Sequence, residues 1–282
     1  MPVPVNLSAS DITATSVRLN WVAGALNPLQ ALIASLFGNG EQGAFYIPMP
    51  VVNGAQALFQ DAAGTVPVTA DGDPVGRMLD QSGNGNHAIQ KVSGSRPVYR
   101  TDGVLHWLGG DGIDDFIASA AIAQIASDLT GFHLSMGVDP VSNAVRVSQY
   151  NARNDNRGFA TVSLSGNSTN YFSGVSQADS FNIGVLVSVA SPTVAHVFST
   201  MWPGAGFRNQ VQINNNAAIS ADDALTSSGT STEQVVELFT SNSGTNFVEG
   251  KIYGVVVVSK NLNSNDYSSV KNYIAGLSGV TL

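Results

Sequence analysis

Along much of the chain, apolar and polar residues alternate with a period of two, the spacing of a strand with one buried face. In FNIGVLVSVA, Phe181, Ile183, Val185, Val187 and Val189 form one continuous apolar face, which predicts a half-buried antiparallel strand. Phe132, Leu134, Met136 and Val138 oppose His133, Ser135 and Gly137 in the same way. Phe45, Ile47 and Met49 alternate until Pro48 and Pro50 stop regular pairing. Further strands are predicted over residues 193–200, 210–214 and 233–241. The run KIYGVVVVS, residues 251–259, is apolar on both faces, as a central strand is.

Three segments read as helices. In ALNPLQALIASLFGNGE, Asn27-Pro28 gives a start and Gly38 a stop, with Leu29, Leu32, Ile33 and Leu36 on one face. Residues 119–129, SAAIAQIASDL, have the spacing of a short helix. The C-terminal stretch 263–276 carries a Ser264 cap, a Gly276 stop and an apolar stripe through Tyr267, Val270, Tyr273 and Ile274. Between residues 57 and 116 the pattern differs. Short apolar runs are separated by Ala-Gly, Asp-Gly-Asp-Pro, Ser-Gly-Asn-Gly-Asn, Asp-Gly and Gly-Gly-Asp-Gly, punctuation that predicts an all-β sandwich.

The first 21 residues form two alternating runs, with Val5, Leu7 and Ala9 in one and Val17, Leu19 and Trp21 in the other. They resemble the opening of a fibronectin type III domain, where a Pro-x-Asn-Leu strand leads to a Thr-Ser-Val-x-Leu-x-Trp strand. A complete domain of that kind needs about five more strands, and the chain turns to a helix pattern instead. Residues 1–40 are therefore expected to be an arm or adaptor, with Val5, Leu7, Val17, Leu19 and Trp21 as its assembly contacts. The alternative is that the segment packs on the main domain as extra strands.

Composition narrows the partners. Hydrophobic residues are 43% of the 282, ample for a core, while charged residues are only 11%, well below the roughly 25% of ordinary soluble domains. The polar surface is thus mostly Ser, Thr, Asn, Gln and Gly, groups suited to water, sugars or neighbouring subunits. Twelve basic residues face 20 acidic ones, for a net charge of −8, and no Lys/Arg cluster overrides the repulsion of phosphate, so nucleic-acid binding is not expected. Cysteine is absent, which excludes disulfides and thiolate metal sites. No charged-then-apolar leader opens the chain and no apolar run is long enough for a membrane helix.

The segment ALFQDAAGTVPVTADGDPVGRMLDQSGNGNHAIQ, followed by SRPVYR and GGDGIDDF, is similar to a family of bacteriophage tail and virion proteins. Those proteins carry a laminin-G-like, or concanavalin A-like, jelly-roll module. The ending FVEGKIYGVVVVSKNLNSNDYSSVKNYIAGLSGVTL resembles the family's Gly-[Lys/Arg]-Ile-Tyr-Gly strand, short loop and helix. The resemblance implies a mainly β fold, an antiparallel jelly-roll β-sandwich over residues 41–282 with a few short helices, preceded by the N-terminal arm. It also implies a place on a phage particle, in tail fibres, tail tips or decorations, and assembly as a homo-oligomer, a trimer first.

Catalytic patterns are weak. Glucanases of concanavalin A-like fold use a Glu-x-Asp-x-Glu strand, with the acid and nucleophile of retaining enzymes about 5 to 5.5 Å apart. Here Glu233-Gln-Val-Val-Glu237 keeps the outer spacing but has Val235 in place of the central Asp, so two surface glutamates are expected instead. There is no Gly-x-Ser-x-Gly elbow, and GNGEQG and SGNGNH lack the Lys-Ser/Thr of a phosphate loop. Their glycines are expected in turns of positive φ.

Two sets of residues remain. Asp111, Asp114 and Asp115 place three carboxylates within one turn, a candidate calcium site, or alternatively a turn whose side chains bond nearby amides. Asp71 and Asp73 pose the same choice. Without Cys, and with His87, His106, His133 and His196 far apart, zinc is not expected. For carbohydrate, which is bound by aromatic platforms flanked by amides and charges, two loops qualify. One carries Tyr150, Asn151, Arg153 and Asp155, the other Trp202 and Arg208; the alternative for Trp202 is a core plug or subunit contact. The expected function is thus that of a non-enzymatic virion structural protein. Its arm binds other virion proteins and its jelly roll meets host-surface glycans. The alternatives are a decoration or cement protein that binds no sugar and, against the missing carboxylate, a polysaccharide-degrading enzyme. Neither a membrane nor a cofactor other than calcium is expected.

Overall fold

The computed structural model describes residues 26–122, 132–140, 147–151, 159–164, 170–177, 180–188, 194–202, 210–220, 234–240, 247 and 249–282. These form an antiparallel jelly-roll β-sandwich with two helices. The first helix, α1 (Pro28–Phe37), begins as its sequence demands. The Asn27 side chain accepts from the Gln30 N–H while the Gln30 side chain accepts from the Asn27 N–H, and the helix ends at Gly38.

Several short strands precede the long ones: β1 (Gly43–Tyr46), a small hairpin of β2 (Val51–Val52) and β3 (Ala55–Gln56), then β4 (Leu58–Phe59), β5 (Arg77–Met78) and β6 (Ala88–Ile89). Next come β7 (Val98–Thr101), β8 (His106–Asp111) and β9 (Ile117–Ser119). The longer strands are β10 (Phe132–Pro140), β11 (Val147–Asn151), β12 (Phe159–Leu164), β13 (Asn170–Gln177), β14 (Ser180–Ser188) and β15 (His196–Trp202). The last are β16 (Gln210–Ile213), β17 (Ile219–Ser220), β18 (Gln234–Leu238) and β19 (Glu249–Val258), followed by α2 (Ser264–Ser278).

One sheet runs β17-β16-β15-β10-β19-β8-β7, with β1 also paired to β19; the other runs β14-β13-β12-β11-β18-β9-β6-β5-β4. All pairings are antiparallel. The main core lies between the sheets, where Leu134, Val138, Ile252 and Val255 of the first meet Leu58, Met78, Val236 and Leu238 of the second.

A second core covers the outer face of the first sheet. There α1 and α2 place Leu29, Leu32, Leu36, Val270 and Ile274 against Phe45, Ile47, Val197, Val256 and Val258. This explains why KIYGVVVVS is apolar on both faces: β19 has a sheet on one side and helices on the other. Ile252 and Val255 both face the inner core although they are three residues apart, which the pleat allows only with an extra residue. The register indeed slips there, Gly137 pairing Gly254 and Val138 pairing Ile252. A ten-residue helix is marginal alone in water, so α1 owes its stability to this burial. Residues 28–37 of the N-terminal segment therefore pack on the sandwich. The predicted strands through Val5, Leu7, Val17, Leu19 and Trp21 lie outside the described residues.

Three local expectations are corrected. Ser119 ends β9, paired with Ala88 of β6, so no helix begins there; residues 123–129 are outside the described set. The C-terminal helix is capped by Asn263, whose side chain accepts from the Asn265 and Asp266 N–H groups, rather than by Ser264. It runs through Gly276 to Gly279, which supplies the left-handed conformation (φ 69°) that ends it.

Candidate functional site

The Asp- and Gly-rich loops of residues 57–116 are held by their own side chains. Asp80, buried, accepts from the N–H groups of Phe45 (2.8 Å), Ser82 (2.9 Å) and Asn86 (3.0 Å) and from the Ser82 hydroxyl (2.7 Å). Asn86 donates its amide to the Gly43 carbonyl at 2.7 Å, so DQSGNGN is a clasp that fixes β1. Gly83 and Gly85 have φ of 92° and 77°, the turn role expected for them. Asp73 accepts from the Thr69 and Ala70 N–H groups, and Asp71 from Thr101 N–H and the Arg100 guanidinium.

Asp111, Asp114 and Asp115 come together, with carboxylate oxygens within 4.8 Å of one another. Asp111 Oδ1 accepts from Ile113 N–H at 2.8 Å, Asp115 Oδ2 from Asp111 N–H at 3.1 Å, and Asp114 Oδ2 from the Ser95 hydroxyl at 2.9 Å. Burial, and then the neighbouring Asp111 charge, push Asp115 up to about 6. The cluster is thus a turn that consumes much of its own acceptor capacity. Calcium takes 6 to 8 oxygens, and here the turn's own N–H groups compete for those of Asp111 and Asp115.

Glu237 corrects another expectation. It is only 4% exposed, paired opposite Ala118 in a strand interior to its sheet, and so is not a surface residue. The histidines are dispersed. His87 Nδ1 accepts from Asp80 N–H, His106 Nδ1 pairs with the Tyr99 hydroxyl at 2.6 Å, His133 is wholly buried and His196 begins β15. Among the described residues the Asp111 turn is the one group of three adjacent metal-ligating side chains.

Of the predicted carbohydrate contacts, Tyr150 and Asn151 end β11, opposite Val235 and Gln234, and Trp202 ends β15, opposite Phe132. Arg153, Asp155 and Arg208 lie outside the described residues.

Sequence reasoning missed a pocket on the outer face of the first sheet. It has a volume of about 340 Å³ and is lined by Met201, Gln210, Val211, Gln212, Ala218, Leu262, Ser264 and Tyr267. Strands β15 and β16 supply its floor, and the first turn of α2 supplies Ser264 and Tyr267. The Tyr267 hydroxyl donates to Gln212 Oε1 at 2.7 Å, and Lys271 Nζ donates to the same oxygen at 3.2 Å and to Asn215 Oδ1 at 2.9 Å. Gln212 Nε2 donates in turn to the Asn216 carbonyl at 2.7 Å, so its amide orientation is fixed. Burial raises the Tyr267 pKa, keeping it a neutral phenol. Behind it, His133 meets the ring edge-on at 5.3 Å and lies 3.1 Å from the Ser135 hydroxyl, which pairs with Ser199. Burial lowers His133 to about 3, so that imidazole is neutral at ordinary pH. The one sequence signal was the pair Gln210 and Gln212 on the same face of a strand.

Toward the other end of the same face, Trp107 lies 5.8 Å from Tyr253, and Lys251 Nζ sits 5.4 Å over the indole while bonding Asp139 at 2.8 Å. The cation already occupies one face of that ring.

No family model and no curated protein matches the chain. Solved structures do. An arabinofuranosidase complexed with arabinofuranosyl-α-1,2-xylobiose aligns with a TM-score of 0.59 at 14% identity, over 90% of this chain and 65% of its own. The botulinum neurotoxin serotype D ligand binding domain in complex with N-acetylneuraminic acid aligns with a TM-score of 0.53 at 11% identity, over 86% and 52%. Botulinum neurotoxin type C, whose cell entry depends upon interaction with two ganglioside molecules, gives 0.50 at 13% identity, over 84% and 52%. The chain thus spans from about half to just under two thirds of these structures' lengths. At such identities the likeness is one of fold.

Proposed function

We propose that the chain is a non-enzymatic structural module of a bacteriophage particle whose jelly roll, residues 41–282, adheres to surface glycans. The observation that carries this reading is a sandwich shared with proteins solved with sugars bound, which here bears a pocket walled, among the described residues, by a tyrosine, amides and a hydroxyl rather than carboxylates. The similarity of residues 57–116 and 247–282 to phage virion proteins supports the location. Residues 1–25, through Val5, Leu7, Val17, Leu19 and Trp21, anchor the module to a neighbouring virion protein by strand addition. A trimer multiplies weak sugar contacts into useful avidity. Tyr150, Asn151, Arg153, Asp155, Trp202 and Arg208 are further candidate sugar contacts.

An enzymatic reading rests on the arabinofuranosidase likeness. A glycosidase needs two carboxylates facing a substrate cleft, one of them with a raised pKa. Asp115 has the raised pKa, but it is buried within its own turn and accepts from the Asp111 N–H. Release of reducing sugar from host polysaccharide overturns the non-enzymatic assignment. Antibody labelling of particles tests the location: gold on the outer surface of heads or tails supports it, and a particle devoid of the protein contradicts it.

A further inference from the structure

The pocket beneath the first turn of α2 has a donor and acceptor pattern more specific than its shape. Tyr267 has spent its proton on Gln212 Oε1 and also meets the Ser199 hydroxyl, so what its oxygen has left for a ligand is a single acceptor position. Gln212 Oε1 is taken by Tyr267 and Lys271, and its Nε2 donates to the Asn216 carbonyl. Among the described residues, what remains to meet a ligand is an acceptor at Tyr267, the two-sided amide of Gln210 and the two-sided hydroxyl of Ser264, beside the apolar side chains of Met201 and Leu262. Among the described residues no charged side chain lines the cavity, and Lys271, which bonds the lining residue Gln212, is also held by Asn215. A carboxylate or phosphate entering it would lose water and find only a cation already engaged by Gln212 and Asn215.

A ligand that donates to Tyr267, exchanges bonds in both directions with Gln210 and Ser264, and lays C–H groups on Met201 is a ring of neutral hydroxyls. Its size follows from the volume of about 340 Å³, near the lower end of the roughly 300–1,000 Å³ usual for small-molecule sites. That suits a terminal unit rather than a threaded chain.

We infer that this pocket binds a terminal neutral hexose in preference to acidic sugars, by hydroxyl donation to Tyr267 and amide contact with Gln210. The inference rests on the glycan-adhesion reading for its biological use, but not for its chemistry.

The test is saturation-transfer NMR on the whole chain with free D-galactose, D-glucose and N-acetylneuraminic acid at millimolar concentration. Three proteins are compared: the unaltered chain, Ala218→Trp, which fills the mouth from an exposed position, and Tyr267→Phe. The expected result is transfer to at least one neutral hexose, lost in Ala218→Trp, reduced several-fold in Tyr267→Phe, and weaker transfer to the acidic sugar. Melting curves identify any variant that fails to fold, and displacement of the hexose by a longer glycan in the unaltered chain then replaces it as the readout. Absence of transfer to both hexoses, transfer unaffected by Ala218→Trp, or preference for N-acetylneuraminic acid overturns the inference. Hexose transfer with a silent glycan array sinks the adhesion reading alone. Array binding that survives Ala218→Trp sinks the pocket alone.

Discussion

Gly137 of β10 lies directly opposite Gly254 of β19, and the C-terminal end of α2 rests on both. A Cβ added at Gly137 would come 2.9 Å from Ser278 Cβ, and one at Gly254 would come 2.7 Å from Leu277 Cδ1. The two missing side chains let the helix approach the sheet closely, and the helix carries Tyr267 to the pocket.

Substituting alanine at either glycine is therefore expected to destabilise the fold by about 1–3 kcal/mol, the usual cost of overpacking. Gly137→Ala is the more costly, because it meets a Cβ fixed to the helix backbone, whereas Leu277 Cδ1 is the end of a side chain that rotates. The double variant costs less than the sum, since one outward shift of α2 relieves both contacts. Urea denaturation of the three variants measures this, and full additivity counts against the shared cause.

How much of this was legible in the sequence depends on the range of the forces involved. Asn27, Pro28 and Gly38 bounded α1 correctly because capping is decided within a few residues. The two apolar faces of residues 251–259 marked a central strand, since burial on both sides leaves no polar position. Asn263 and Ser264 are both good caps, and only the fold shows which one is used. Gly276 looked like a helix stop, yet the turn that requires positive φ falls at Gly279. Glu237 looked exposed because its own strand cannot reveal what covers it. The pocket was invisible for the same reason: Met201, Gln210, Ala218 and Tyr267 meet only after β15, β16 and α2 assemble, and alone Tyr267 reads as one more position on an apolar stripe.

The Asp115 carboxyl is raised from 3.8 to about 6 in the folded chain, so folding favours its protonated form. Its contribution is favourable below about pH 4 and is lost as pH rises through 6. Asp115→Asn is expected to raise the melting temperature at pH 7.5 and to change it little at pH 4. An equal shift at both values contradicts the assignment.

His133 has the opposite sign. Burial lowers it from 6.5 to about 3, so the neutral ring is favoured by folding and stability falls as pH drops below 6.5. Between pH 4 and 6 the two groups oppose one another. Asp115→Asn is expected to steepen the acid-side loss and His133→Gln to flatten it, as read from denaturant midpoints across that window.

In the Asp111 turn, backbone N–H groups already occupy carboxylate oxygens of Asp111 and Asp115. Chelator is therefore expected to leave the melting temperature unchanged. A fall restored by added calcium makes the turn a metal site.

The central claim is that the sandwich holds surface sugars without cleaving them. A glycan array probed with the labelled whole chain, beside its Trp202→Ala and Ala218→Trp variants, tests it most directly. The account predicts binding to a defined set of glycans, recoverable intact, that weakens in at least one variant. Silence on every glycan contradicts it and leaves a decoration protein that covers a particle surface and binds no sugar.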